Sequence, residues 1–139
     1  MSQIIEVNPG ELKISFETPS VGKQSFKDLG LESEELFIES GFMRMVFNMD
    51  KLRDPAFYNM PTIEVSYKEN LAATHWQCDF NGVTILDKID HHGNATILIL
   101  QKKKLEELQN HHENRLILHA EFPENVHILP EKSYINFFK

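Results

Sequence analysis

Histidine is the residue type with the most chemical potential in this chain. Seven are present, four of them in the adjacent pairs His91-His92 and His111-His112. An imidazole ligates metals and accepts protons near neutral pH. Neighbouring residues on an extended chain point to opposite faces, so each pair offers one ring to any single site. The path between the pairs therefore decides whether a metal could be held. If residues 95–100 and 115–122 form an antiparallel hairpin, the pairs lie at opposite ends, roughly 20 Å apart at about 3.3 Å per residue. If residues 101–114 form a crossover, the strands run parallel and both pairs emerge at one end. The weak helical character of 101–114 favours the hairpin. The expectation is therefore no metal and no cofactor, with His91, His92, His111 and His112 as the residues that would hold a metal in the other geometry. His75, His119 and His127 fall on wetter faces or beside a proline-bounded strand.

Asp90-His91-His92 resembles the Asp-His-His motif of the DHH phosphoesterase family, in which these residues help bind catalytic metals within a larger α/β domain. The resemblance covers three residues, and no Asp-x-Asp pair precedes Asp90, so the tripeptide is read as a chance match. Cys78 is the sole cysteine; no intrachain disulfide can form, and a lone thiol among apolar neighbours reads as a small buried hydrophobe. His75 is three residues away, which on a strand is the opposite face, so a Cys–His nucleophile pair is disfavoured. No phosphate loop, dinucleotide fingerprint, His-Glu-x-x-His, Gly-x-Ser-x-Gly or Cys-x-x-Cys occurs.

The net charge of −7 argues against a nucleic-acid partner, whose affinity comes largely from Lys and Arg releasing counterions. The one basic run, Lys102-Lys103-Lys104, is followed by Glu106 and Glu107, and its field is largely cancelled within a Debye length. The start Met1-Ser2-Gln3-Ile4-Ile5-Glu6 has no basic segment leading into a long apolar one, and no 18 apolar residues run consecutively. This reading places the protein in the cytoplasm, away from membranes. Without a secretory route, Asn94-Ala95-Thr96 is not a glycosylation site. With 139 residues, 41% hydrophobic and 25% charged, the chain reads as a single β-rich domain over 1–139.

The elements that must position these groups are mostly strands. Asn81-Gly82 between two alternating runs is a hairpin signal, because a type I′ turn needs two residues that accept positive φ. Phe80 then faces Val83, Cys78 faces Ile85 and Trp76 faces Asp87. Trp76, Cys78, Phe80, Val83 and Ile85 share a core face, while His75, Gln77, Asp79, Thr84 and Lys88 share a wetter one. The unbroken apolar run 95–100 predicts a central strand buried on both sides. Leu116, Leu118, Ala120 and Phe122 point inward from another strand. Further strands are predicted over 12–17, 62–67 and 134–138. Residues 33–49 read as a hairpin about Ser40-Gly41, with Met43, Met45, Phe47 and Met49 as a core stripe, in preference to a helix capped by Ser33. Residues 18–35 read as a long loop, and 102–110 as at most a short helical turn.

These elements predict a mostly β fold, all-β or α+β: a two-layer antiparallel β-sandwich or flattened barrel with one or two short helices. With an apolar pattern and no catalytic constellation, the expected function is a non-catalytic binding or assembly module that takes a protein partner or self-associates. The second expectation is a sandwich or barrel enzyme with a small-molecule pocket and a His-bound metal. A lipocalin-like ligand carrier is the third. Convergent histidines in a concave pocket would favour the enzyme; a flat apolar patch would favour the binding module.

Overall fold

The computed structural model describes residues 3–31, 33–39, 41–110 and 112–129. His111 and the terminal run 134–138, one of the expected strands, lie outside them. The described strands are β1 (Ile5–Val7), β2 (Lys13–Thr18), β3 (Gly22–Ser25), β4 (Ser33–Glu39), β5 (Phe42–Asn48), β6 (Thr62–Ser66), β7 (His75–Phe80), β8 (Val83–Thr84), β9 (Leu86–His92), β10 (Ala95–Leu100), β11 (Arg115–Glu121) and β12 (Val126–Ile128). One short helix, α1 (Lys104–Leu108), and two 3-10 turns, Pro9–Glu11 and Pro55–Tyr58, accompany them. No helix among the described residues is long and apolar enough to cross a membrane.

Two five-stranded antiparallel sheets pack face to face: sheet I in the order β3-β2-β6-β10-β9 and sheet II in the order β4-β5-β11-β7-β8. Among the described residues both orders end on strands with one neighbour, so the fold is a sandwich and not a closed barrel. Alternation supplies the core. Phe16, Ile63, Val65, Leu98 and Leu100 come from sheet I, and Met43, Met45, Phe47, Cys78, Phe80, Leu116, Leu118 and Ala120 from sheet II; all are buried. Unbranched methionines fill the irregular space between the layers. Phe26 closes one side, meeting Phe16 of sheet I edge-on at 5.6 Å and Phe47 of sheet II at 5.0 Å. Outside the sandwich, β1 pairs in parallel with β12, and the Tyr67 hydroxyl ties that pair to sheet I by donating to the Glu6 carbonyl at 3.0 Å.

The β4–β5 hairpin and its buried methionine stripe match the pattern reading. So does the turn at Asn81 (φ 49°) and Gly82 (φ 82°), a pair of left-handed residues that joins β7 to β8. Phe80 faces Val83, and the Ile85 N–H donates to the Cys78 carbonyl at 2.9 Å. There the hairpin ends. Ile85 is buried, its carbonyl accepts from the Gln101 N–H at 2.7 Å, and Leu86 opens β9 in the other sheet. A chain that changes sheets at a corner cannot place Asp87 opposite Trp76. Val83, expected in the core, is 41% exposed, because β8 is a two-residue edge strand.

A second crossing, the return from sheet I to sheet II after β10, overturns both expected paths between the histidine pairs. β10 belongs to sheet I and β11 to sheet II, so they form neither a hairpin nor a parallel pair. Nor is β10 buried on both sides: Thr96, Leu98 and Leu100 face the core, while Ala95, Ile97 and Ile99 are half-buried. The expected loop over 18–35 contains β3, which pairs with β2, and buries Phe26 and Leu31. Gly-Lys-Gln-Ser carries no apolar alternation; its strand form comes from pairing with β2 across a tight turn.

Candidate functional site

β9 and β10 pair through a turn at Gly93-Asn94, with Ala95 opposite His92 and Thr96 opposite His91. The two rings therefore take opposite faces of an edge strand, and both are exposed. The Thr96 hydroxyl lies 3.3 Å from His91 Nδ1. His112 sits in the loop that follows the far end of β10, so the length of that strand separates it from His91 and His92. Among the described residues, no group of three or more His, Cys, Asp and Glu side chains is placed to hold a metal ion.

The folded chain instead assembles a polar hub around Asn81, Asn114 and Asp50. β5 ends at Asn48 and delivers Asp50; the loop after α1 delivers Asn110 and Asn114; the β7–β8 turn delivers Asn81. Glu113, left-handed at φ 63°, redirects the loop into β11. Asn114 is buried. Its Oδ1 accepts from the Asn110 N–H at 2.7 Å and from Asn81 Nδ2 at 3.1 Å, and its Nδ2 donates to the Asn110 carbonyl at 2.9 Å. Its backbone N–H donates to Asp50 Oδ1 at 2.8 Å. Asn81 answers on the other side: its Nδ2 donates to the Leu108 carbonyl at 2.9 Å and its Oδ1 accepts from the Arg115 N–H at 2.8 Å. Buried amides are costly unless paired, and here they pair with one another.

Burial alone would raise the Asp50 carboxyl. The backbone N–H groups of Asn114 and Glu113 and the Arg115 guanidinium, 3.2 Å away, outweigh it and hold the group below the usual carboxylate range. Tyr58 is shifted the other way, upward, by burial and by the nearby Asp50 charge. Its hydroxyl donates to the Met49 carbonyl at 2.9 Å. Above the hub opens a cleft of about 340 Å³. Tyr58, Leu52 and Asn114 form its buried floor, while Arg53, Gln109 and His112 stand at its exposed rim. A single described histidine lines this concavity, and no nucleophile is paired with a base there.

Cys78 offers no nucleophile either. It is fully buried, and that burial, with the Asp79 charge beside it, pushes the thiol far above its ordinary value. His119 and Asp79 do meet, with Nε2 and Oδ2 3.2 Å apart on adjacent strands, and Thr84 Oγ1 donates to the other Asp79 oxygen at 3.0 Å. They lie on the outer face of sheet II.

That outer face is the second candidate. Register sets Phe37 beside Arg44 and Arg44 beside His119, then Phe42 beside Glu121 and Val46 beside Ile117. Phe37 is 42% exposed, and Phe42, Val46 and Ile117 are partly so. Phe37 meets Phe42 edge-on at 6.2 Å, Phe42 lies 5.9 Å from the His119 ring, and the Arg44 guanidinium is 6.0 Å from the Phe37 ring centre. Glu39, Glu121, His75, Gln77 and Thr84 surround this group as an exposed polar border. The outer face of sheet I differs: Lys13, Glu17, Lys23, Lys88 and the Lys23–Glu64 ion pair at 2.6 Å flank half-buried Ile97 and Ile99.

Sequence reasoning found the Asn81-Gly82 turn but not the use of the Asn81 side chain, and it passed over Asp50 and Asn114. The available signal was local: the polar residues Asn48, Asp50, Asn110 and Asn114 lie at or near the ends of predicted elements. Comparison with protein-family models, with curated proteins and with solved structures finds no match to this chain.

Proposed function

We propose that this protein is a non-catalytic binding or assembly module whose contact surface is the outer face of sheet II. The observation that carries the reading is the cluster Phe37, Phe42, Val46 and Ile117, left partly open on one sheet face and bordered by charge. Protein interfaces have this anatomy: aromatic and arginine residues at the centre, with a polar rim. Arg44 adds a planar cation held over an aromatic ring, one of the side-chain types enriched at binding hot spots. The face carries both signs, with Arg44 near Glu39 and Glu121, which suits symmetric pairing of two copies.

The enzyme reading asks for convergent histidines in a concave pocket, and among the described residues one histidine lines the cleft. A lipocalin-like carrier needs an open apolar interior, and here side chains from both sheets occupy the space between the layers.

Sedimentation of the wild type and of Phe42→Asp at high micromolar concentration tests the proposal. The expected result is a wild-type dimer and a monomeric variant with an unchanged circular dichroism spectrum. A dimer that persists in Phe42→Asp would move the contact off this face and overturn the proposal. A wild-type monomer would overturn self-pairing and leave a different protein as the occupant.

A further inference from the structure

An asparagine followed by glycine can modify itself. Without a Cβ, the glycine leaves its own backbone nitrogen unhindered, and that nitrogen can attack the asparagine Cγ. The N–Cγ bond forms, the Cγ–Nδ2 bond breaks, the displaced amide proton leaves with nitrogen as ammonia, and a succinimide ring remains. One water then opens the ring to aspartate or isoaspartate. No oxidant, metal or second protein takes part.

Asn81-Gly82 has this chemistry at an exposed turn, yet the Asn81 side chain is not free to follow it. Nδ2, the leaving group, donates to the Leu108 carbonyl at 2.9 Å and to Asn114 Oδ1 at 3.1 Å, and Oδ1 accepts from the Arg115 N–H at 2.8 Å. Turning Cγ toward the Gly82 nitrogen requires breaking these contacts. The acceptors are the last carbonyl of α1 and Asn114 in the loop that follows it, so the Asn81 side chain must come away from that segment first.

We propose that Asn81 is a latent self-modification site, kept as an amide by its hydrogen bonds to the 108–115 loop, and that its conversion to aspartate or isoaspartate releases that loop. The product cannot re-form the hub. A carboxylate would present oxygen to the Leu108 carbonyl and to Asn114 Oδ1, which are both acceptors, and would add a second negative charge near Asp50. Isoaspartate also lengthens the backbone of a two-residue turn whose flanks, Phe80 and Val83, are held in register. The loop freed in this way forms the Gln109 and His112 side of the cleft.

The test follows conversion by peptide mapping in mildly alkaline buffer, comparing the whole folded chain with the isolated peptide Glu69–Lys88. Three hydrogen bonds, each contributing several-fold to the closed form, multiply to a folded rate about a hundredfold below that of the peptide. Asn114→Ala, which removes one acceptor and loosens the loop, should bring the folded rate to within about tenfold of the peptide. Asp50→Asn, which weakens the Asn114 anchor from the exposed side, should shift it in the same direction and serves if Asn114→Ala does not fold. Separated converted protein should be cut by trypsin after Arg115, where the loop enters β11, faster than the amide form. A folded wild type that converts at the peptide rate would overturn the proposal. So would folded variants that keep the wild-type rate, or converted protein with unchanged cleavage of the loop.

Discussion

Replacing Asn114 by alanine isolates the energetic worth of the hub. The substitution removes three side-chain hydrogen bonds: those accepted from Asn81 Nδ2 and the Asn110 N–H, and the one donated to the Asn110 carbonyl. At about 1 kcal/mol net for each, the loss is about 3 kcal/mol. Asn110 is exposed, so water can serve its freed groups, while Asn81 Nδ2 keeps the Leu108 carbonyl as partner. The penalty for stranded donors therefore stays small, and the expected range is about 2–4 kcal/mol. In a domain of this size that lowers the melting temperature by roughly 10 °C. Asn110→Ala is the control: the hub uses the Asn110 backbone N–H and carbonyl, which alanine retains, and an exposed substitution should cost under about 0.5 kcal/mol. Urea unfolding followed by the fluorescence of Trp76, the only tryptophan in the chain and a buried one, reads both variants. Equal stabilities for Asn114→Ala and wild type would refute the hub as a stabilising unit. An Asn110→Ala loss as large as that of Asn114→Ala would show that the backbone path of the loop, rather than the Asn114 amide, carries the energy.

Two further perturbations test other parts of the fold. Asp50 has a depressed carboxyl in the folded state, so its contribution is present above the unfolded value near pH 4 and is lost as pH falls through the folded value. Asp50→Asn should therefore be less stable than wild type at neutral pH, by at most about 1 kcal/mol because the side chain is partly solvated, and the gap should close on acidification below about pH 4; a gap independent of pH would contradict this. Trp76→Ala empties a buried site against Phe122, whose ring centre is 6.4 Å away, and should cost about 3–5 kcal/mol in denaturant titration. An unmoved midpoint would place the indole outside the core.

Strand identity was legible where side chains alternate over a half-buried surface. The stripe Met43, Met45, Phe47 and Met49 and the run Leu116, Leu118, Ala120 and Phe122 state which face is inward before any partner is known, because a strand has period two. The Asn81-Gly82 turn was legible for a different reason: few residues accept positive φ, and two together have one common use. Two turn-joined alternating runs repeated along the chain were enough to imply a sandwich or flattened barrel, and the structure decided for the sandwich.

Which strand lies beside which was not written locally. β3, with the sequence Gly-Lys-Gln-Ser, is a strand because β2 offers it a ladder, and nothing in its own residues requires that. The corner at Ile85 is likewise a tertiary event. A buried isoleucine bonded through its N–H to β7 and through its carbonyl to Gln101 sends the chain from one sheet to the other, and β10, which then runs the length of sheet I, separates His91 and His92 from the loop of His112. Periodicity reports the face of a residue but not its neighbours across space, so the histidines, the conspicuous feature of the sequence, do not converge among the described residues. The hub that does form joins Asp50, Asn81 and Asn114 from distant parts of the chain. Its members were ordinary loop polar residues until the packing of two sheets brought their polar groups within hydrogen-bonding reach of one another.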